Sequence, residues 1–120
     1  YSCILGNMKT RQLWHNKAQG IVTDGAIRDL QMISDEYDLA VFAKNRSPAG
    51  NLPFLESFEE GQPINVGGVL VMPGDVIVGD DDGVVVVPAD RAEEVIDWIE
   101  EQEEAEEFVI GLIDEEQVPP

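Results

Sequence analysis

Residues 20–30 read GIVTDGAIRDL. The apolar, β-branched opening is the pattern of a short strand, Gly25 is a turn signal, and Arg28 and Asp29 stand side by side just beyond. In a chain this poor in positive charge, an arginine placed beside a carboxylate at the mouth of a strand is the feature to explain. Taken alone, the pair is a surface ion pair, or a helix start where the dipole favours an anion. Taken as chemistry, it is a metal-assisted anion site. Mg²⁺ is satisfied by one or two protein carboxylates plus water and substrate oxygens. A neighbouring guanidinium holds a carboxylate or carbonyl by planar, charge-assisted hydrogen bonds.

Upstream, Asn7 is placed to cap a helix through MKTRQLWHNKAQ, residues 8–19, with Gly20 as its stop. Leu13 and Trp14 would face the core, with Lys9, Arg11 and Lys17 outside. The stretch Gly6-Asn7-Met8-Lys9 is a helix cap, and by the same geometry its free backbone N–H groups are able to bind a carboxylate. Downstream, LQMISDEYDL (residues 30–39) is a weak helix or turn and AVFAK (40–44) a second strand. Residues 45–65 carry repeated turn signals and read as a loop with a short strand. Three β-branched runs follow, GVLVM, DVIVG and GVVVVP, separated by Pro73-Gly74-Asp75 and by Asp80-Asp81-Asp82-Gly83. The second separator is a hairpin connection. A helix starts near Asp90, with Ala92, Val95, Ile96 and Ile99 on one apolar face that Phe108 and Leu112 extend. The expectation is one mixed α and β domain, residues 1–120, with a compact β region rather than regular βαβ alternation.

Composition bounds the function. The chain has 120 residues, 25 acidic against 7 basic, and a formal net charge of −18. Such a surface repels phosphates, so nucleic acid is not an expected partner. A carboxylate-rich surface with lysine only at Lys9, Lys17 and Lys44 is a solubilising surface or, more sharply, that of a protein from a salt-rich source. No apolar run has the length of a membrane span, and no signal peptide is visible; a membrane partner is not expected and a cytoplasmic setting is. Cys3 is the single cysteine and excludes an internal disulfide; it has no evident activating partner and reads as a buried, inert thiol. His15, the single histidine, reads as a helix surface or packing residue. GDDDG (79–83) lacks the alternating oxygens and terminal Glu of a calcium loop. EEQEEAEE (100–107) is a solvated helix face. No Ser-His-Asp set, Walker loop or dinucleotide fingerprint is present.

Read together, LGNMK (5–9), GIVTDGAIRD (20–29), AVFAKNRSPAG (40–50) and GGVLVMPGDVIVGDDDGVVVVP (67–88) resemble, in order, the RraA-like family. It is named for the regulator of ribonuclease E activity A. It also holds the class II 4-hydroxy-4-methyl-2-oxoglutarate aldolases, often recorded as demethylmenaquinone methyltransferases. The resemblance implies an α/β fold, an αββα sandwich related to swivelling phosphohistidine domains. The first residue is Tyr1, and the chain corresponds to the C-terminal two-thirds of a typical member, with the N-terminal portion expected to be missing. The family assembles as trimers or dimers of trimers with active sites near subunit interfaces. Its catalytic members imply Arg28 as the pyruvate-binding arginine, Asp29 as the Mg²⁺ or Mn²⁺ ligand, and Gly6, Asn7, Met8 and Lys9 as the substrate-binding amides. Two positions depart from the pattern. The acid that precedes the Arg-Asp pair is Asn7 here, which cannot take up a proton as a carboxylate does. A further acid often found after the Asp is Met32. The expected activity is a metal-dependent lyase passing through a pyruvate enolate. It would act as an oxaloacetate decarboxylase, a weak 4-hydroxy-4-methyl-2-oxoglutarate aldolase, or both, on a small 2-oxo acid. The alternative is a binding or regulatory protein that kept the fold and lost turnover.

Overall fold

Three short apolar runs lie side by side as a parallel sheet. In the computed structural model, which describes residues 2–50, 56 and 59–116, these are β1 (Cys3–Leu5), β2 (Gly20–Ile27) and β3 (Ala40–Arg46), in that spatial order. Parallel neighbours cannot be joined by a tight turn and need a crossover. Helix α1 (Asn7–His15) supplies it between β1 and β2, and α2 (Leu30–Glu36) between β2 and β3. The N-terminal part is therefore a regular βαβαβ unit, contrary to the expectation of a compact β region without that alternation. Strand β1 went unread because three residues are too few to display a period.

The core sits between this sheet and its helices. Leu5, Ile27, Ile33 and Tyr37 form the buried cluster, with Ile4, Ile21, Leu30, Leu39, Val41 and Ala43 packed around it. Cys3 is buried, as expected of an inert thiol. Helix α1 buries Thr10 completely, and the Thr10 hydroxyl donates to the Gly6 carbonyl at 3.0 Å. Leu13 and Trp14 do not face the core as expected: they are 36% and 42% exposed, and Trp14 leans on the Tyr37 ring at 5.8 Å. The cap of α1 is Gly6, not Asn7, and the helix ends early. Lys17 takes the left-handed conformation (φ 65°) that Gly20 was expected to provide, and Gly20 opens β2 instead. Gly25 likewise does not turn the chain. It lies within β2 where the pairing with β3 slips, and Ile4 covers it so closely that a Cβ would sit 3.2 Å from that side chain.

Two antiparallel hairpins follow: β4 (Ile64–Val66) with β5 (Val69–Val71), and β6 (Val76–Gly79) with β7 (Val84–Val87). The first turns through Gly67 and Gly68, both at positive φ, and the Gly67 N–H donates to the Asp24 carboxylate at 2.9 Å, tying the hairpin to β2. The second turns through Asp80–Gly83 as expected, with Asp80 Oδ1 accepting from the N–H groups of Asp82 and Gly83. That oxygen is consumed by the turn, in keeping with a structural role for GDDDG. Part of the loop expected before β4 (51–55, 57 and 58) lies outside the described residues. A 3₁₀ turn, Ala89–Arg91, leads into α3 (Ala92–Glu116). Among the described residues no helix is long and apolar enough to cross a membrane.

Candidate functional site

The residue that follows each strand of the parallel sheet is Gly6, Arg28 and Ser47 in turn, so three chain segments leave the sheet at the same edge. This is the carboxyl edge of the strands, where open α/β sheets bind ligands. Backbone hydrogen bonds hold the exits together: Arg28 N–H to the Leu5 carbonyl at 3.1 Å, and Ser47 N–H to the Ile27 carbonyl at 3.0 Å.

Asp29 is the pivot. It has left-handed backbone angles (φ 62°, ψ 31°) at the entry to α2, a conformation that Asp tolerates better than most residues. Its side chain does not cap its own helix. Instead Asp29 Oδ2 reaches across to α1 and accepts the Asn7 N–H at 3.0 Å. A carboxylate on the first turn of another helix sits where the helix dipole favours it. Arg28 Nε lies 3.9 Å from the same oxygen, and both side chains are nearly half exposed. At that length and exposure the ion pair contributes little to stability, which leaves the guanidinium available to a ligand. Gly6 is required by this close approach rather than by its backbone angles: a Cβ would stand 2.8 Å from Asp29 Oδ2 and 3.0 Å from Arg28 Nε.

The first-turn N–H groups of a helix have no partner within it. In α1 the Asn7 N–H is taken by Asp29, while Thr10 N–H already closes onto the Gly6 carbonyl, which leaves the Met8 and Lys9 N–H groups as the first-turn donors without a partner among the described residues. The structure thus brings Gly6 to Lys9, Arg28 and Asp29 together. The Asn7 side chain turns the other way, its Oδ1 accepting the Tyr37 hydroxyl at 2.7 Å. Met32 lies on α2, 45% exposed, and supplies no ligand oxygen.

Three residues that sequence reasoning did not assign also matter. Arg46 and Ser47 line, with Arg28, Asp29 and Pro48, an open depression of about 530 Å³. Tyr37 fixes Asn7 from inside the core. Arg46 lay in the quoted AVFAKNRSPAG motif, but only the register that sets it opposite Ile27 brings it beside Arg28 and Asp29. A larger cleft, about 710 Å³, runs between β2, β3 and the hairpins. Its walls are mostly apolar, with valine the commonest lining residue and Asp24, Lys44, Asp80 and Asp81 among the rest, and it lacks the helix N-terminus of the strand-end site.

Among the described residues no three His, Cys, Asp or Glu side chains gather as metal ligands. Asp29 Oδ1 has no hydrogen-bond partner there, whereas Oδ2 is shared by Asn7 and Arg28. One unengaged carboxylate oxygen in an open, polar depression fits a hard cation that keeps most of its water, and does not fit a closed zinc site.

A helix N-terminus, a guanidinium and a lone carboxylate meet at the carboxyl edge of a parallel sheet, a set of groups chemically suited to a small anion and a hard cation. The family described as RraA-like, Aldolase/RraA, matches residues 1–86, and the chain belongs to it. The chain is 42% identical over 79 residues to an uncharacterized protein of Methanocaldococcus jannaschii, covering 66% of this chain and 37% of that one. It is 36% identical over 100 residues to a putative 4-hydroxy-4-methyl-2-oxoglutarate aldolase of Halalkalibacterium halodurans, covering 78% and 41%. Among solved structures it superposes, at a TM-score of 0.82 and 34% identity, on Streptomyces coelicolor RraAS2, described as an unusual member of the RNase ES inhibitor RraA family. That match covers 94% of this chain and 57% of the other. The mixed α/β, RraA-like fold implied by the motifs is thereby the fold observed. The chain spans roughly a third to three-fifths of the length of these three relatives.

Proposed function

We propose that this chain carries the active site of a divalent-metal-dependent lyase that forms the enolate of pyruvate, acting on oxaloacetate and, weakly, on 4-hydroxy-4-methyl-2-oxoglutarate. The observation that carries the reading is the convergence of Arg28, Asp29 and the α1 N-terminus, with Asp29 Oδ2 on the Asn7 N–H at 3.0 Å. In oxaloacetate decarboxylation the bond to the departing carboxylate breaks, its electrons move into the 2-oxo group, and carbon dioxide leaves. The N–H groups of Met8 and Lys9 hold the remaining carboxylate. The Arg28 guanidinium donates to the oxygen on which negative charge develops. Asp29 would hold Mg²⁺ or Mn²⁺, which supplies Lewis-acid polarisation of the 2-oxo acid. No proton need be removed, and the enolate takes up one proton from water at carbon to become pyruvate. Retro-aldol cleavage does require loss of the 4-hydroxyl proton, and Asn7, neutral and bonded to Tyr37, is no base. The same reading takes the protein as a homo-oligomer, most simply a trimer, working in the cytoplasm on small 2-oxo acids and not on nucleic acid.

Pyruvate release, coupled to lactate dehydrogenase and compared with metal-only blanks, tests the proposal. Oxaloacetate turnover should exceed the blank and require Mg²⁺ or Mn²⁺. Arg28→Ala and Asp29→Ala should abolish it. Asp29→Asn, which keeps an acceptor for the Asn7 N–H, should abolish it too. Asn7→Asp keeps an acceptor for Tyr37 and restores a carboxylate, so it should raise the aldol cleavage by up to about 10²- to 10⁴-fold. Wild-type rates equal to the blank for both substrates would sink the lyase reading. A second reading would then stand, a regulatory or binding protein, favoured by the engagement of Asn7 with Tyr37 and by the single unshared carboxylate oxygen.

A further inference from the structure

Arg46, the exposed last residue of β3, takes no part in forming the enolate. Among the described residues its side chain makes no ion pair, in a chain where 25 acids stand against 7 bases. The register sets it opposite Ile27, one residue before Arg28. Both arginines line the open depression of about 530 Å³, where the only carboxylate is that of Asp29. The chain as a whole is strongly acidic, yet the lining of this hollow carries an excess of positive charge. The three strand ends lie in a row, with β2 between β1 and β3. Neighbouring strands stand about 4.8 Å apart, so the N-terminus of α1 and the end of β3 flank Arg28 at a separation of about 10 Å. A four- or five-carbon dicarboxylic acid spans about 4–5 Å between its carboxyl carbons. A hydrogen bond of about 2.8 Å at each end extends that to the same separation. A monocarboxylic acid held at α1 stops short of Arg46.

We propose that Arg46 binds the far carboxylate of a 2-oxo dicarboxylic acid whose first carboxylate is held at the N-terminus of α1, and so selects dicarboxylic over monocarboxylic substrates. This inference rests on the lyase reading and names the residue that reads the substrate's far end. A guanidinium suits the task, because its planar fork meets a carboxylate with two parallel hydrogen bonds and stays charged at every working pH. In oxaloacetate the far carboxylate is the one that departs, and its charge moves toward the 2-oxo oxygen as the bond breaks. Arg46 therefore holds the substrate more firmly than the transition state and serves capture rather than turnover.

Titration calorimetry of the whole chain with Mg²⁺ tests this with two acids of equal length and the same 2-oxo head: 2-oxoglutarate, and 2-oxopentanoate, which lacks the far carboxylate. Neither carries a carboxylate β to the oxo group, so neither is decarboxylated during the titration. The wild type should bind 2-oxoglutarate about tenfold more tightly, as a charged hydrogen-bonded contact allows. Arg46→Gln should erase that preference and leave 2-oxopentanoate binding unchanged, while Arg46→Lys should keep part of it. Arg28→Ala should weaken both acids. Arg11→Gln, which removes the same charge from the exposed face of α1, should keep the preference. With oxaloacetate, Arg46→Gln should raise KM about tenfold without lowering kcat. Equal binding of the two acids by the wild type, a preference that survives Arg46→Gln, or one that Arg11→Gln also erases overturns the role of Arg46 and leaves the lyase reading in place. Binding of neither acid also overturns it; if oxaloacetate turnover then equals the metal-only blank, the lyase reading falls with it.

Discussion

The parallel sheet and the two hairpins are built from the same kinds of residue, but only the sheet closes over a core. Every fully buried residue among those described lies between Cys3 and Tyr37. No hairpin valine is buried: Val84, Val86 and Val87 are half-buried, and Val78 and Val85 stay open at 54% and 60% exposure, although their β-branched runs are the most regular in the chain. The difference comes from layering. Each pair of parallel strands brings its own crossover helix, so α1 and α2 arrive as cover. A two-stranded antiparallel hairpin returns on itself and brings nothing to lie over it. Apolar patterning thus states what a segment needs, while topology decides whether one copy of the chain meets the need.

The largest expected effect separates the two regions directly. Ile33→Ala removes a side chain that is 3% exposed in the central cluster and should cost about 2–5 kcal/mol. Val85→Ala, at an open position, should stay within about 0.5 kcal/mol. Urea unfolding of dilute protein measures both. A large cost for Val85→Ala that grows with protein concentration would mean that another copy covers the hairpins, and the contrast would then hold only for the isolated chain.

A glycine exchange should give opposite signs at the end of the parallel sheet and in the helix that follows the hairpins. Gly6→Ala forces a methyl group against Asp29 Oδ2 and Arg28 Nε and should cost about 1–3 kcal/mol, with loss of turnover. Gly111→Ala lies inside α3 with open space around it and should add up to about 1 kcal/mol of helix stability. Thermal melts followed at 222 nm distinguish them. Equal and small changes would show that the strand-end site is looser than its distances imply.

The same contrast explains what could be read from the residues. The hairpin at Asp80–Gly83 was legible because turn chemistry is local: an aspartate accepting from its own following N–H groups needs no distant partner. Strand β2, helix α2 and strand β3 were legible from short-range pattern. The arrangement at Arg28 and Asp29 was legible only as a pair of residue types and through the family resemblance. Its working geometry is a contact between positions 22 residues apart, Asn7 to Asp29, and sequence spacing carries no sign of it. Tyr37 was missed for the same reason, its partner lying 30 residues away. Gly25 misled because glycine serves a bulge under a close neighbour as well as a turn, and only the packing of Ile4 tells which.

Salt should act on the C-terminal region and spare the N-terminal one. Along α3 the i,i+4 pairs Glu93–Asp97, Asp97–Glu101, Glu100–Glu104 and Glu103–Glu107 are all like-charged, with no base on the helix to offset them. At a few tenths of a kcal/mol each they cost about 1–2 kcal/mol together, and screening removes most of that between low and molar salt. Helicity at 222 nm should rise with KCl while, in a Trp98→Phe background that leaves Trp14 as the one tryptophan, the near-ultraviolet tryptophan signal stays constant. Constant helicity across that range would remove the repulsion argument and with it the expectation of a salt-adapted surface.

The smallest effect concerns the start of α3, where Arg91 grips Glu94 with two hydrogen bonds, Nε to Oε2 at 3.0 Å and Nη2 to Oε1 at 2.7 Å. The hydrogen bond from Arg91, followed by its charge, lowers the Glu94 carboxyl below the ordinary glutamate range and raises the guanidinium further. A carboxyl lowered in the folded state contributes stability that is fully present above its unfolded value, about pH 4.3. That contribution is lost as pH falls through the lower folded value. Arg91 stays charged throughout and adds no pH dependence of its own. Both side chains are well exposed, so the effect is local to the first turn and does not move the melting of the N-terminal unit. Acid also neutralises the other α3 carboxylates, which relieves repulsion and raises helicity in any variant. The informative quantity is therefore the helicity of wild type minus that of Glu94→Gln. It should be positive and level from neutral pH to about pH 5, then shrink toward zero as Glu94 is protonated. A difference that persists at the acid end would assign the effect of Glu94 to packing or helix propensity. A difference of zero at neutral pH would mean that the two hydrogen bonds to Arg91 do not anchor the first turn of α3.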